Sequence, residues 1–597
     1  MKIIIFIIFI IFNLYNELRS EKENYYELEP IVITEKIQDE IKTSLTRNII
    51  LISDKDIEKY GVNSIDKILN NYVGIDIQSR EKGVLSDISI RGSNFEDVLV
   101  MLDGIPLNNP QTGHFNLNIP VSITEIERIE IMPGNSSALF GSYGYSGTIN
   151  IITKKRENKE IEGIISYGNY KTYYLNSLIA YPLNKIIISG NGEYIKSDGF
   201  SYGREYEIKN VNSSINYEIT KDDKLRIFYG EIKKDFGAYD FYTPDRNLAS
   251  KEIIENKILK FDYEKKIREK IMKIKLYLNQ AEDDFILKRE NPTYYHNHHK
   301  SKKYGGEILF GFKISDLLFY SILLASNNDS IKSNRLGIRE RENIGLGNEI
   351  IINKKNSSIN LSGRLDIYRN EKYFNFNCGY YNWIDNNIKI RLNIGNAYRI
   401  PSFTELYYQD PYNYGNSKLK AARNISYEIG SDIYYKKYQI RNTFFIREEN
   451  NFIDWVGNTD TGPWYAENIK DDLLFYGIEN EINVLLTKTK IILRNTYISI
   501  KDKKNYISKY GLNYTKNQIV LLIERSLLYG IKTLSSFTYK KRNKNDYLIT
   551  NIDLRKNIER DTTIFINIEN IFNKKYEEIK GIKESERRIN SGINLKF

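Results

Sequence analysis

A chain of 597 residues would ordinarily divide into several domains, yet Pro is scarce at 11 residues and no Pro- or Gly/Ser-rich linker interrupts the sequence after residue 160. The formal charge of +10 arises from 87 basic and 77 acidic residues interspersed along the chain; without a basic block interleaved with aromatics, it does not describe a nucleic-acid binder. A mean hydropathy of −0.49 excludes a bundle of helical membrane spans, and the single cysteine, Cys378, excludes an intramolecular disulfide and an N-terminal lipid anchor on cysteine.

The chain begins MKIIIFIIFIIF, with Lys2 followed by an apolar run from Ile3 to Phe12. That pattern predicts an export signal over residues 1–20, because the run is too short to span a bilayer as a helix; an uncleaved anchor is the alternative. Residues 21–44 are polar and poor in core residues. Within them, Glu29-Pro30-Ile31-Val32-Ile33-Thr34 is a short β-prone island. Such an island either adds a strand to a partner's sheet through its unpaired backbone groups or belongs to the chain's own next domain.

Residues 45–155 read as a small mixed α+β unit. Residues 49–52 predict a strand, Ser53 caps a short helix stopped at Gly61, and Ser64 caps a second helix carrying Ile65, Ile68, Leu69 and Tyr72 at helical spacing. Strands are expected over 74–78, 88–91, 98–102, 126–132 and 148–153. Pro120 is placed for the first turn of another helix.

From residue 156 to 597 period-two alternation dominates. Aromatic residues, 48 Tyr and 26 Phe among them, suit strands and the belts at two membrane interfaces. Tyr427, Ile429, Ser431, Ile433 and Tyr435 fall on one face, Lys436-Lys437 turns the chain, and Tyr438, Ile440, Asn442, Phe444 and Ile446 form the next stripe. Tight turns of this kind lie on the periplasmic side of outer-membrane barrels, so segments 405–423 and 450–467 should face outward from the cell. The final strand should point Ile589, Ile593, Leu595 and Phe597 to lipid. About 440 residues at roughly 20 per strand and connection give about 22 strands, with about 20 or 24 also within range. The expected fold is therefore an all-β transmembrane barrel of antiparallel strands with an N-terminal plug in its lumen. A soluble β-propeller is the competing all-β architecture, but no repeat at blade period is present.

These residues resemble the TonB-dependent outer-membrane receptor family over nearly the whole mature chain. Ile88-Ser-Ile-Arg91-Gly92, Leu102-Asp103-Gly104-Ile105-Pro106, Ile126-Glu127-Arg128-Ile129-Glu130, Pro133-Gly134, Ala138-Leu139-Phe140-Gly141 and Gly147-Thr148-Ile149-Asn150-Ile151 are similar to successive plug signatures of that family. In the barrel, Tyr398-Arg399-Ile400-Pro401-Ser402-Phe403-Thr404-Glu405-Leu406-Tyr407 resembles its YRxPxFxELY signature, and Asn570 to Tyr576 resembles NLFDxxY. The chain departs at Ser417 and Ala421-Ala422, where the family has Pro and Pro-Glu, and at Ser585-Glu586-Arg587, where it has Pro-Gly-Arg.

The resemblance implies that residues 29–34 are a TonB box, that TonB with its inner-membrane energising complex is the partner, and that a scarce small-molecule nutrient is imported across the outer membrane. Residues 235–242 and 291–299 look like segments of cobalamin-receptor-type members. Cobalamin leads, with a ferric siderophore or haem as alternatives. A surface adhesin or phage receptor built on the same barrel is the reading from another class. No enzyme is expected: no Ser lies in a G-x-S-x-G context, and neither a Walker-type loop nor a paired Cys site is present. No resident cofactor is expected, and bound calcium or a transported metal complex is left open.

Two plug loops, residues 79–87 and 106–118, are expected at the outer face. Arg80, Glu81, Asn108, Asn109, Gln111 and His114 on them, with Phe236, Tyr239, Phe241 and Tyr242 of a barrel loop, are the candidate ligand contacts; loop polarity alone would give the same pattern. A charge buried in a lumen must be paired, and for Arg91, Glu127, Arg128 and Glu130 the resemblance implies pairing with the barrel wall as a latch; the alternative is ordinary exposed charge. Of the four histidines, His296 and His298 share a strand face while His299 points away, a fragment that cannot cage a metal alone.

Overall fold

The computed structural model describes residues 46–597 apart from 62–63, 244–245, 460, 471, 502–505, 543–544 and 560. The expected export signal and the 29–34 island therefore lie outside the described residues. What is described is a closed antiparallel barrel of 22 strands surrounding a small α+β plug.

In the plug, strands β1 (Ile50–Ser53), β4 (Val98–Leu102), β5 (Ile105–Pro106), β6 (Ile126–Pro133) and β7 (Gly147–Thr153) form one sheet in the order β1-β6-β7-β4-β5. The pair β4–β7 is parallel and the other pairs are antiparallel. Between β1 and β4 come β2 (Ile75–Glu81) and β3 (Leu85–Ile90), a separate hairpin. Alternate apolar positions of β4, β6 and β7 face one side of the sheet: Val100, Leu102, Ile129, Ile131, Ile149 and Ile151 join one core with Ile68 and Leu69 of the second helix. Ser53 does cap the helix Asp54–Lys59, in a capping box with Asp56, and the second helix runs Ile65–Leu69, leaving the buried Tyr72 beyond its end.

One local expectation is overturned and one element is added. Pro120 does not open a helix; a single 3-10 turn, Ile123–Glu125, forms behind Ser122 instead. A turn of helix absent from the pattern reading occupies Ser137–Phe140, closed by Gly141 at φ 81°. Four residues are too few to show a helical period.

The wall strands alternate as lipid on one side and a wet lumen on the other require. In the strand Ala422–Tyr435, Tyr427 and Ile429 are exposed outward while Asn424, Ser426 and Asp432 are buried inward. Its partner Tyr438–Asn450 follows a two-residue turn in which Lys436 adopts φ 49°. All the connections at this end of the cylinder are short, and the long connections, residues 400–421 and 451–472 among them, lie at the other, together with a few tight ones such as Arg369-Asn370. Tyr181, Tyr435 and Tyr438 ring the tight-turn end, while Tyr167, Tyr173, Tyr427 and Tyr497 are exposed towards the opposite one, as interfacial belts should be. Closure is made by the last strand, Arg588–Lys596, which pairs with the first, Glu160–Gly168. Ile589 and Phe597 are exposed on the outside. At the long-loop end, Asn413–Tyr414, Ile453–Gly457, Trp464–Asn468 and Ile507–Ser508 build a second small sheet over the mouth.

Candidate functional site: the plug–wall seam and the plug apex

A polar lumen filled by a polar stopper forces charges into low-dielectric contact, where each must find an opposite charge. Arg91 shows how the backbone arranges this. It follows β3 directly at φ 53° and is itself followed by Gly92 at φ 73°, a left-handed pair that throws the side chain out of the plug. There its Nε and Nη2 each donate to the Glu479 carboxylate at 2.8 Å, and Nη1 lies 2.9 Å from Glu428. The guanidinium rests on the Phe445 ring at 4.4 Å, and only 1% of the side chain is exposed. Glu479 and Glu428 both belong to the wall.

Most of the other seam contacts run in the opposite sense, from a plug carboxylate to wall cations. Asp76 accepts from Arg542 at 2.7 Å and from Lys540 at 3.1 Å. Asp97 lies 2.7 Å from Arg399, which also makes a bidentate pair with Glu405. Asp103 pairs with Lys260 and Arg226, accepts from the Thr153 amide and hydroxyl inside the plug, and offers its carbonyl to Lys275. Lys67 reaches Glu569, and Arg588 reaches Glu81. Arg128 pairs at 2.5 Å with Glu127 and at 2.9 Å with Glu130, both on its own strand; the pairs described for these three residues lie within the plug.

Asp76, Asp97 and Asp103 were not singled out in the sequence, although Asp103 lies in a quoted motif. A signal existed: three aspartates sit on or beside apolar strands, where an unpaired carboxylate would be prohibitive. Sequence spacing cannot supply their wall partners.

At the apex, the β2–β3 hairpin and the 106–118 loop converge beneath the mouth. Arg80 donates to Asp87 at 2.8 Å, and His114 Nδ1 meets the other Asp87 oxygen at 2.7 Å. His114 stacks on Phe95 with ring centroids 4.1 Å apart and meets Tyr510 and Tyr242 edge-on, while Arg80 lies over Tyr242 at 5.3 Å. Burial, with Arg80 assisting, pushes the His114 imidazole below its ordinary range although Asp87 pulls the other way. Burial alone would raise Asp87; Arg80 and His114 outweigh it and hold that carboxyl below the usual carboxylate range.

The remaining candidate contacts are distributed unevenly. Asn108 uses its carboxamide inside the plug, accepting from the Val100 amide and donating to the Val98 carbonyl. Asn109 accepts from Ser301, and Gln111 donates to Asp283, so both tie the loop to the wall. Phe236 and Phe241 are buried in an apolar cluster with Val84, Leu85 and Phe115. Tyr242 packs at its edge and donates to Glu252, and Tyr239 donates to Asn247 in its own loop. The groups that the fold brings together at the apex are therefore Arg80, Asp87, His114 and Tyr242. Between the apex and the adjacent wall lies a cavity of about 170 Å³, reached by His114, Lys82, Lys234 and Glu193. It is smaller than the roughly 300–1,000 Å³ of a small-molecule site, so it does not by itself hold a nutrient-sized ligand.

Comparison with known proteins agrees along the length of this architecture. The family model described as TonB-dependent Receptor Plug Domain matches residues 41–148, and that described as TonB dependent receptor-like, beta-barrel matches residues 149–571. Among curated proteins, the chain is 21% identical over 605 residues to a protein of Photobacterium profundum named vitamin B12 transporter BtuB, covering 95% of each. Among solved structures it resembles the siderophore receptor PirA from Acinetobacter baumannii, with a TM-score of 0.77, 15% identity and coverage of 95% of this chain and 100% of that one. It also resembles a ferric enterobactin receptor, PfeA, from Pseudomonas aeruginosa, with a TM-score of 0.78, 14% identity and the same coverage.

Proposed function

This chain is a member of the TonB-dependent receptor family of the bacterial outer membrane, and from that premise we propose that it binds a scarce nutrient at the cell surface and imports it with energy delivered through TonB. Cobalamin is the favoured cargo. The reading is supported by the full-length likeness to a relative named as a vitamin B12 transporter. The runner-up is a ferric siderophore, the cargo class for which the structural neighbours are named; those likenesses, at 15% identity or less, speak for the fold alone.

The observation that carries the import reading is the seam. A passive pore has no use for a stopper held in the lumen by Arg91–Glu479, Asp76–Arg542 and Asp97–Arg399. Ion pairs resist thermal loss of the plug yet are made and broken pair by pair, which suits a seal to be shifted by mechanical pull. In this mechanism cargo settles at the apex near Arg80, His114 and Tyr242 and displaces the mouth loops. TonB pairs with residues 29–34 by strand addition, and traction rearranges the plug. The experiment is growth rescue of a receptor-less strain supplied with cobalamin, haem or defined ferric siderophores as sole source. Rescue by cobalamin alone supports the favoured cargo, rescue by a siderophore alone replaces it, and rescue by none removes the import reading.

A further inference from the structure

The hairpin formed by the strands Lys270–Ile286 and His296–Lys313 is longer than the membrane needs. A membrane-crossing strand takes about 9–11 residues, and these have 17 and 18. Outward positions change character along it. Ile274, Leu276 and Leu278 on one strand and Ile308 and Phe310 on the other form the apolar band. Above them the outward positions are Gln280, Glu282 and Asp284, facing Lys302, Lys300 and His298 in register. This extension stands in water on the outer side of the cell.

On its outer face three ligand-type side chains converge. His296 Nε2 lies 2.5 Å from one Asp284 oxygen, and His298 Nδ1 lies 3.3 Å from the other. The donor atoms of Asp284, His296 and His298 all fall within 4.8 Å of one another. Bonds of about 2.0–2.2 Å in tetrahedral geometry place ligand atoms about 3.3–3.5 Å apart, so small side-chain rotations suffice. His298 Nδ1 is buried and makes no hydrogen bond. Its other nitrogen, Nε2, lies 3.4 Å from Glu282, the outer carboxylate that commonly orients a metal-bound imidazole. The backbone is fixed as well: Asn334 of the next connection accepts from the His298 amide at 3.0 Å and donates to the His296 carbonyl at 2.9 Å.

We propose that Asp284, His296 and His298 form a surface site for one divalent transition-metal cation, Zn2+ or Cu2+ by its N2O donor set, with a fourth position open to the medium. Two imidazoles disfavour Ca2+ and Mg2+, which take oxygen ligands. The site belongs to the outer face of the wall and is separate from the plug apex and its cargo. Sequence spacing alone misses it because the third ligand crosses from the neighbouring strand.

The test uses the full-length chain, purified in detergent without a histidine tag and stripped of metal, titrated with Zn2+ against a chromogenic chelator near neutral pH. One equivalent is expected to bind. Loss of an outer-shell partner alone costs about 10–100-fold, so Asp284→Asn and His298→Gln should each weaken binding by more than about 100-fold. His299→Gln, on the inner face, should bind as the parent does. Co2+ should give visible d–d absorption in the parent and in His299→Gln but not in the other two. Strand circular dichroism checks that each variant is folded. No stoichiometric binding by the parent, parent-like binding by Asp284→Asn and His298→Gln, or loss of binding in His299→Gln would overturn the proposal.

Discussion

Arg91 of the plug and Glu479 of the wall, 388 positions apart in sequence, meet through two hydrogen bonds of 2.8 Å in a contact that excludes water. Arg91→Ala removes the cation and leaves Glu479 and Glu428 facing each other with no counter-charge from this residue. Breaking a buried pair from one side costs about 3–5 kcal/mol. Plug docking should weaken by that order, measured as an earlier plug transition in denaturant and as raised uptake of a small antibiotic normally excluded. Arg91→Met combined with Glu479→Gln and Glu428→Gln should recover most of the loss, because no buried charge is left stranded.

Asp76 should behave with the opposite polarity. Asp76→Asn leaves Lys540 and Arg542 without their shared carboxylate, and the same denaturant measurement should show a loss of about 2–5 kcal/mol. An unchanged transition would mean that this pair contributes nothing to holding the plug.

The apex should loosen in acid. The His114 imidazole is held below its ordinary value, so the native apex binds fewer protons than the open one as pH falls through about 6.5. Its contribution is fully present above that pH and is lost progressively below it. Hydrogen-exchange protection at residues 79–87 and 106–118, taken relative to the intrinsic rate at each pH, should therefore fall between about pH 7 and pH 5, and His114→Gln should flatten that dependence.

The outer surface gives a test of the membrane reading. Leu276 is exposed in the middle of the apolar band. Leu276→Arg should cost about 2–4 kcal/mol of barrel stability in lipid vesicles. The same change at Gln280, above the band, should cost much less.

How far the sequence carried the fold depended on whether a signal was local. Period-two alternation placed Tyr427, Ile429 and the Lys436 turn, because each strand reports its own two faces. The cap that Ser53 places on the first plug helix is local too. Pro120 misled because a proline suits the first helical turn without requiring a helix to follow. The site was legible only in outline. Residues 79–87 and 106–118 do meet beneath the mouth, but 79–87 is the tip of the β2–β3 hairpin and not a loop, and the engagement of Asn108 within the plug depends on how β4 folds against its own loop. Partners such as Glu479 for Arg91, or Asp284 for His298, are set by the register of strands closing a cylinder, which no window of sequence contains.

The central claim is that pull on the N-terminal tail moves cargo past the plug. The most direct measurement is accumulation of the growth-rescuing nutrient, in labelled form, by cells expressing the full chain or the chain lacking residues 29–34. Surface binding should be equal in both, and accumulation should occur only with the full chain and only in cells with TonB. Equal accumulation by both chains would contradict TonB-driven import, and surface binding without accumulation by either would favour an adhesin or phage receptor.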